Sequence, residues 1–428
     1  MTTTANHSSA IRLFMTVALG LWASLLFSQA QFRVMNYNLL NFPNGEIEDR
    51  EDTLQLIIDY VQPDLILVQE LKSPFGLSLI ASVSCDNLAG TYVASTYVNQ
   101  QSNPGASNPL QQGIVYNTDV FGLKSEGVVI TPYRDVNEFV LYLQDEALAD
   151  GDTSFLYVYT THLKSSTGSS NEALRLQMID AWREHVDANV PADASIIIGG
   201  DFNLYSSDEP AYQELLSSDN LHQLFDPIDA PGEWSDTSFP QKDILTQCTR
   251  VSQIFNDGAS SGLDDRFDFV LVSGGLMGMT SPLHVVENSY HSLGNNGTCY
   301  DQNIIDCAMD NEVPYEILRA LYYMSDHLPV VVDFEFDLGV SVPQLGENPS
   351  PVLFPNPGTG LFSVKGFPEN MARLTFQVFG TDGRLVNAGL VGKGEQIDLS
   401  SLSPGVYMLK LGTHARWTTT TLIISGDF

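Results

Sequence analysis

Apolar and polar positions follow two periods along this chain. Residues 31–40 read as a strand, with Asn38 where it ends. Residues 49–61 carry Leu54, Ile57, Ile58 and Val61 at helical spacing, and Pro63 closes that helix. Residues 64–68 are a Leu/Ile-rich strand ending in Gln69-Glu70, and 102–109 are an exposed loop rich in Asn, Pro, Gly and Ser. Short strands are predicted over 113–116 and 128–131, and a strongly β-prone run over 155–161 delivers His162. A helix over 171–186 has Leu174, Met178, Ile179 and Trp182 on one face. Next comes an apolar run from Ser195, then Gly199-Gly200-Asp201-Phe202-Asn203. The two glycines are expected to turn the chain sharply as the strand ends. Alternation puts Asp201 and Asn203 side by side, with Phe202 toward the core.

A short helix follows at 209–216, then a strand at 266–272 with Asp268 among apolar neighbours. A carboxylate there needs a partner, since an unpaired buried charge is expensive. Residues 284–322 read as a long polar insertion, followed by Ser325-Asp326-His327 and a closing strand at 330–336. Strands separated by helices, with polar residues at strand ends, indicate a sheet-based α/β unit with one catalytic rim. Beyond a Pro/Gly-rich linker at 339–350 the pattern changes to short strands and turns, for example 375–379 and 406–411. That predicts a small all-β sandwich. Ahead of the first strand, Arg12 precedes an apolar run at 13–27 and the small-x-small sequence Ser28-Gln29-Ala30. This is an export signal, too short for a membrane span. The expected division is a signal peptide at 1–30, a catalytic domain at 31–338, the linker at 339–350 and a C-terminal domain at 351–428. No later segment is long and apolar enough to cross a bilayer, and a monomer is expected.

Charge sharpens this picture. The 428 residues carry a formal net charge of -33. Residues 31–340 hold 46 acidic and 12 basic side chains, whereas 341–428 hold 6 of each. Such a surface gives no electrostatic footprint for nucleic acid and favours divalent cations. Four cysteines in an exported chain predict disulfides. Cys299 and Cys307 lie close together in a polar stretch and are paired, leaving Cys85 with Cys248.

The strand ends collect into one set: Asn38, Glu70, His162, Asp201, Asn203, Asp268, Asp326 and His327. Taken singly, each also reads as ordinary strand-end chemistry, such as an Asx turn at Asp201 or a hydrogen-bonded histidine at 162. Together they supply what phosphate ester hydrolysis needs. Hard oxygen ligands suit Mg2+, Mn2+ or Ca2+. A metal neutralises phosphoryl charge, a His–Asp pair handles a proton, and amide donors hold the phosphate.

These pieces resemble the endonuclease/exonuclease/phosphatase superfamily. The matching segments are Asn36-Tyr37-Asn38, Gln69-Glu70, Thr161-His162-Leu163, Gly200-Asp201-Phe202-Asn203, Arg266-Phe267-Asp268 and Ser325-Asp326-His327, in the family's order. The resemblance implies an α/β fold, a four-layer α/β/β/α sandwich with its site at one end of two packed sheets. It implies Glu70 as principal metal ligand, with Asn38 and Asp326 beside it. His327 would be general base or phosphate contact, oriented by Asp268. Asp201 would position water or protonate the leaving oxygen, and Asn203 and His162 would contact the phosphate. One departure is visible: near Leu110-Gln111-Gln112-Gly113 there is no acidic residue, where some nucleases of the family place a carboxylate to orient the first His.

The C-terminal part resembles the type A sorting domain of the type IX secretion system. It carries the segment from Phe354 to Phe362, then Asp382-Gly383-Arg384, Asp398-Leu399-Ser400 and Gly405-Val406-Tyr407. The small sandwich is expected to be immunoglobulin-like and to engage the type IX machinery. The product is then secreted, or attached to the cell surface, by way of the periplasm. The expected activity is a divalent-metal-dependent phosphoesterase. A phosphodiesterase or endonuclease acting on extracellular DNA or RNA comes first. A phospholipid (sphingomyelinase-like) or sugar-phosphate hydrolase is the alternative, and a non-catalytic surface binding protein is the rival of another class.

Overall fold

The structure, a computed structural model, describes residues 30–44, 50–144, 155–254, 257–278, 283–307, 311–336, 352–365, 373–380, 384–413 and 416–425. The leader expected at 1–30, Ala30 apart, lies outside the described residues. So do the linker at 339–350 and the Asp382-Gly383 turn. The chain divides into two compact units, Met1–Gly339 and Val340–Phe428.

In the first unit the order is β1 (Ala30–Phe42), α1 (Arg50–Val61), β2 (Leu65–Leu71), α2 (Pro74–Asn87), β3 (Tyr92–Ala94), β4 (Gln111–Asn117), β5 (Phe121–Val129) and β6 (Val136–Leu143). Next come β7 (Phe155–His162), α3 (Ser169–Asn189), β8 (Ser195–Asp201), α4 (Pro210–Leu216), β9 (Leu224–Phe225), β10 (Asp268–Ser273) and α5 (Gly274–Met277). The unit closes with β11 (Leu283–Val285), β12 (His291–Ser292), α6 (Tyr315–Met324) and β13 (Val330–Phe336). One sheet runs β11-β13-β1-β2-β4-β3, with β12 also on β13; the other runs β5-β6-β7-β8-β10-β9.

Alternation along the strands builds the layers. Val34, Leu65, Leu67 and Ile114 of the first sheet pack against Leu156, Val158, Ile197 and Val270 of the second. The residues between them in sequence point outward. Met35, Tyr37, Ile66 and Val68 meet α1, α2 and α6, while Tyr159, Ile196, Ile198 and Phe269 meet α3 and α4. The result is an α/β/β/α sandwich.

Gly199 and Gly200 do not make a turn. Both lie within β8, where they serve close approach rather than bending. A Cβ on Gly199 would come within 2.7 Å of Leu67 in the facing sheet, and one on Gly200 within 2.0 Å of the Thr161 carbonyl. The stretch 284–322 is not wholly irregular either. It contains α6, which buries Ile317, Leu318, Ala320, Leu321 and Met324 on one face.

The Cys299–Cys307 disulfide forms. The Cys85–Cys248 pairing does not: both are free thiols. Cys248 is fully buried and its Sγ accepts the Ser261 and Gly262 N–H groups at 3.0 and 3.2 Å. Cys85 lies on the exposed side of α2 and exchanges hydrogen bonds with the Tyr92 backbone.

Arg266, beside the site strand β10, is structural. Its guanidinium makes a bidentate pair with Asp226 at 2.7 and 2.9 Å, both side chains being essentially inaccessible to water. Burial acts to raise the Asp226 carboxyl, but Arg266 outweighs it and holds the group below the usual carboxylate range. The carboxylate therefore contributes stability above the unfolded value of about 3.9. That contribution is lost as pH falls through the lower folded value. Asp226→Asn leaves the arginine charge buried without a counter-charge and is expected to cost about 3–5 kcal/mol. Urea titration measures this. A loss under about 1 kcal/mol on the same scale would show that water reaches the pair.

The named strands of the second unit pair antiparallel, and one isolated parallel bridge joins Gly358 to Ile424. Its strands are β14 (Val352–Phe354), β15 (Leu361–Lys365), β16 (Arg373–Phe379), β17 (Leu385–Gly392), β18 (Gln396–Asp398), β19 (Gly405–Thr413) and β20 (Arg416–Ile424). They form sheets β14-β15-β18 and β17-β16-β19-β20 around Phe362, Ile397, Leu374, Val378, Leu409 and Leu422. Among the described residues no helix is long and apolar enough to cross a membrane.

Candidate active site

Strand direction gathers the polar residues at one edge. β1 and β2 are parallel and reach it at their C-terminal ends, bearing Asn38 and Glu70. β7 and β8 do the same with His162 and Asp201, which are register partners. β10 and β13 run antiparallel to these and begin at that edge. Asp268 therefore pairs with Asp201, and His327 lies just before β13.

Hydrogen bonds tie the two sheet ends together. Asn38 Nδ2 donates to Asp201 Oδ2 at 3.0 Å and Glu70 Oε1 at 3.3 Å, and lies 3.4 Å from His327 Nε2. Its Oδ1 accepts the Leu40 N–H, so Asn38 presents its amide nitrogen, not its oxygen, to the site. His327 Nδ1 meets Asp268 Oδ2 at 2.7 Å. Ser325 Oγ donates to the Asn38 carbonyl and accepts the His327 N–H, fastening the last segment to the first. His162 Nε2 lies 3.3 Å from Asp201 Oδ2.

Asn203 does not continue the strand alternation. Its φ is 48°, and its N–H closes an Asx turn on Asp201 Oδ1 at 3.0 Å. Leu40, Asn41 and Glu70 are also left-handed, with φ of 44°, 55° and 60°. Backbone strain of this kind gathers where surroundings over-determine a side chain's position.

Glu70, His162 and Asp201 form the group that can hold a metal ion, their ligand atoms lying within 4.8 Å of one another. Asp326 is not in that group: its Oδ2 accepts the Ala259 N–H at 2.6 Å. Burial, then the nearby Asp326 charge, raises the Glu70 carboxyl. Burial also pushes Asp201 up, to about 7. The two histidines diverge. Burial and the charges of Arg134, His327 and Lys164 hold His162 well below its ordinary value, so its ring is neutral. Burial would lower His327 too, but the carboxylates of Asp268, Asp201 and Asp326 hold it well above, so its ring is charged.

The departure near Leu110 has a visible counterpart. His162 Nδ1 is buried and has no hydrogen-bond partner among the described residues. The carboxylate beside Gln111 is Asp135, which accepts from Gln111 Nε2 and from the Gln101 and Ser102 N–H groups. It fastens a loop rather than the imidazole.

Two further residues reach the site from loops that carry no strand-end pattern. Gln247 Nε2 lies 2.5 Å from His327 Nε2, and Gln247 is held by bridges to Asp265 and His327. Arg134, between β5 and β6, donates through Nη1 to the Leu163 carbonyl at 2.7 Å. Its only sequence signal is scarcity of positive charge in an acidic chain.

Residues 35–327 match the model of the Endonuclease/Exonuclease/phosphatase family, and residues 352–425 that of the Secretion system C-terminal sorting domain. Among solved structures, the chain is similar to ANGEL2, a 2',3'-cyclic phosphatase. The two are 16% identical over 73% of this chain and 97% of that one, with a TM-score of 0.46. It is also similar to a mannosyl-6-phosphatase of Bacteroides thetaiotaomicron (15% identity, 71% and 100% covered, TM-score 0.43). A third likeness is to an endonuclease/exonuclease/phosphatase protein of Beutenbergia cavernae (15% identity, 92% and 100% covered, TM-score 0.43). The sequence finds no match among curated proteins. At these identities the likeness to solved structures concerns the fold.

Proposed function

Because this chain belongs to the endonuclease/exonuclease/phosphatase family, we propose that it is a divalent-metal-dependent phosphodiesterase that cleaves extracellular DNA or RNA. The observation that carries this is the adjacency of two devices: the His327–Asp268 pair at 2.7 Å, and the Glu70, His162 and Asp201 group beside it. Two carboxylates and a neutral imidazole fit a hard divalent ion, Mg2+ first, with Mn2+ or Ca2+ as substitutes. When bound, the ion neutralises charge on the phosphoryl oxygens. The chain's own groups do the rest. His327, charged and oriented by Asp268, donates from Nε2 to the phosphate. Asp201, ionised beside the ion, accepts a hydrogen bond from the attacking water and positions it. Asn38 and Asn203 supply amide donors that position the phosphate.

The C-terminal region is a type IX sorting domain, so the enzyme is secreted or held at the cell surface. In this reading the tail is an address and takes no part in the chemistry.

A panel of plasmid DNA, RNA, sphingomyelin, bis(p-nitrophenyl) phosphate and phosphomonoesters, with and without Mg2+, tests the assignment. Nucleic acid and the chromogenic diester should be hydrolysed, and chelation should stop it. Turnover of sphingomyelin or monoesters alone would transfer the site to lipid or sugar-phosphate chemistry. No hydrolysis with any divalent ion would leave a binding protein.

A further inference from the structure

We propose that Arg134, Lys164 and Tyr133 form a binding wall for a second phosphate of the substrate, adjacent to the one that is cleaved. This rests on the phosphoesterase reading above and adds the class of substrate: an ester flanked by another phosphate.

Four of the eight described arginines of the first unit already pair with a carboxylate. Arg33 pairs with Asp333, Arg175 with Glu209, Arg183 with Glu214 and Arg266 with Asp226. Arg134 and Lys164 have no carboxylate at ion-pair distance among the described residues, in a chain with 52 acidic side chains. Arg134 commits only Nη1, to the carbonyls of His162 and Leu163. Its Nε and Nη2 make no bond among the described residues, and this is the fork that recognises phosphate oxygens.

Arg134 lies 5.0 Å and Lys164 Nζ 5.4 Å from the centre of the same Tyr133 ring. The ring holds both cations in place by its face. Arg134 is anchored to the backbone of the strand end that carries His162, and Lys164 follows two residues later. Both charges bear on His162, and Arg134 also bears on Glu70 and Asp201. Arg134 is thus fixed beside the strand end that carries His162, and Lys164, whose Nζ donates to the Ser165 carbonyl, lies within electrostatic reach of the same imidazole.

Distance decides between this local pair and the repulsion of the acidic surface. At physiological salt, fields between exposed charges are screened beyond about 8 Å. A phosphate against Arg134 and Lys164 meets two cations at contact and most of the carboxylates through screening solvent. The fixed cations can thus seat one flanking phosphate without making the surface attractive to polyanions in general.

The test uses the full chain with Mg2+ and three thymidine dinucleotides sharing one scissile bond: TpT, its 5'-phosphorylated form and its 3'-phosphorylated form. A charge-assisted contact of this kind should raise kcat/KM for one phosphorylated form over TpT by about tenfold or more. Arg134→Met and Lys164→Met should each pull that ratio toward one. Lys164→Met serves as the second variant because Arg134 also holds two carbonyls. The proposal is overturned if wild type shows no preference, or if both variants slow all three dinucleotides by the same factor. Should none be cleaved, the phosphodiesterase reading fails separately, and calorimetry with inorganic pyrophosphate decides the wall. Binding weakened about tenfold in either variant supports it; equal affinities in both end it.

Discussion

Glu70→Gln is expected to lower turnover by about two orders of magnitude or more while leaving the fold intact. The substitution preserves shape and removes charge. Glu70 Oε1 accepts from Asn38 and Oε2 from the Asn41 N–H at 3.1 Å. A carboxamide oxygen replaces one acceptor, but its NH2 then faces a donor. Being partly exposed, the side chain is not part of the core, and the melting temperature without metal should barely move. What should move is the stabilisation that Mg2+ gives. A ligand that binds the folded state raises its stability with concentration, and a weakened site flattens that rise. Thermal melts across a Mg2+ series, run beside kinetics at limiting Mg2+, separate a lost ligand from a lost shape. Near-normal turnover at limiting Mg2+ would reduce Glu70 to a structural strand-end residue.

His327 and Asp268 should fail as one device. The 2.7 Å contact fixes the ring, directs Nε2 into the site and sustains its charge. Asp268→Asn keeps a partner for Nδ1 but removes the charge. His327→Ala removes the donor itself. Each is expected to cost about two to four orders of magnitude, and the double variant little more than either single. Losses that multiply in the double variant would mean that the two act separately. The closeness of Asp201, whose Oδ2 is 3.8 Å from His327 Nε2, makes the cycle informative. An Asp201→Asn variant combined with either should also fall short of additivity.

Much of the architecture was legible because strands end in polar residues for a reason. Sheet interiors exclude unpaired charge, so Glu70, His162 and Asp201 mark the ends of buried strands, where polar side chains can meet partners. Strand direction puts them at one edge of each sheet, and the packing of the two sheets brings Glu70 to His162 and Asp201. What stayed hidden was whatever depended on residues far apart in sequence. α2 has apolar residues on every side, so no helical stripe shows; only Ser73 and Pro74, its N-cap and first residue, mark its start. α6 is strongly amphipathic yet sits inside a polar stretch whose composition drew the eye. The glycines of β8 look like turn residues unless the facing sheet is known. Cysteine parity paired Cys85 with Cys248, and only three-dimensional placement separates them. Arg134 and Gln247 reach the site by side-chain direction from loops, which carries no periodic signature.

The placement of β1 has a temporal meaning. It is the first described strand of the chain, yet it lies inside its sheet, between β2 and β13. Arg33 on β1 bonds Asp333 on β13 across 300 residues of sequence. Asn38 and His327 meet across 289. A ribosome adding about 5–20 residues per second takes roughly 15–60 s to cover that interval. Throughout it β1 has one bare edge, and the rim lacks His327. Such late, long-range closure is slow to fold. A nascent chain that stops short of β13 therefore lacks His327, one of the groups on which the proposed chemistry depends.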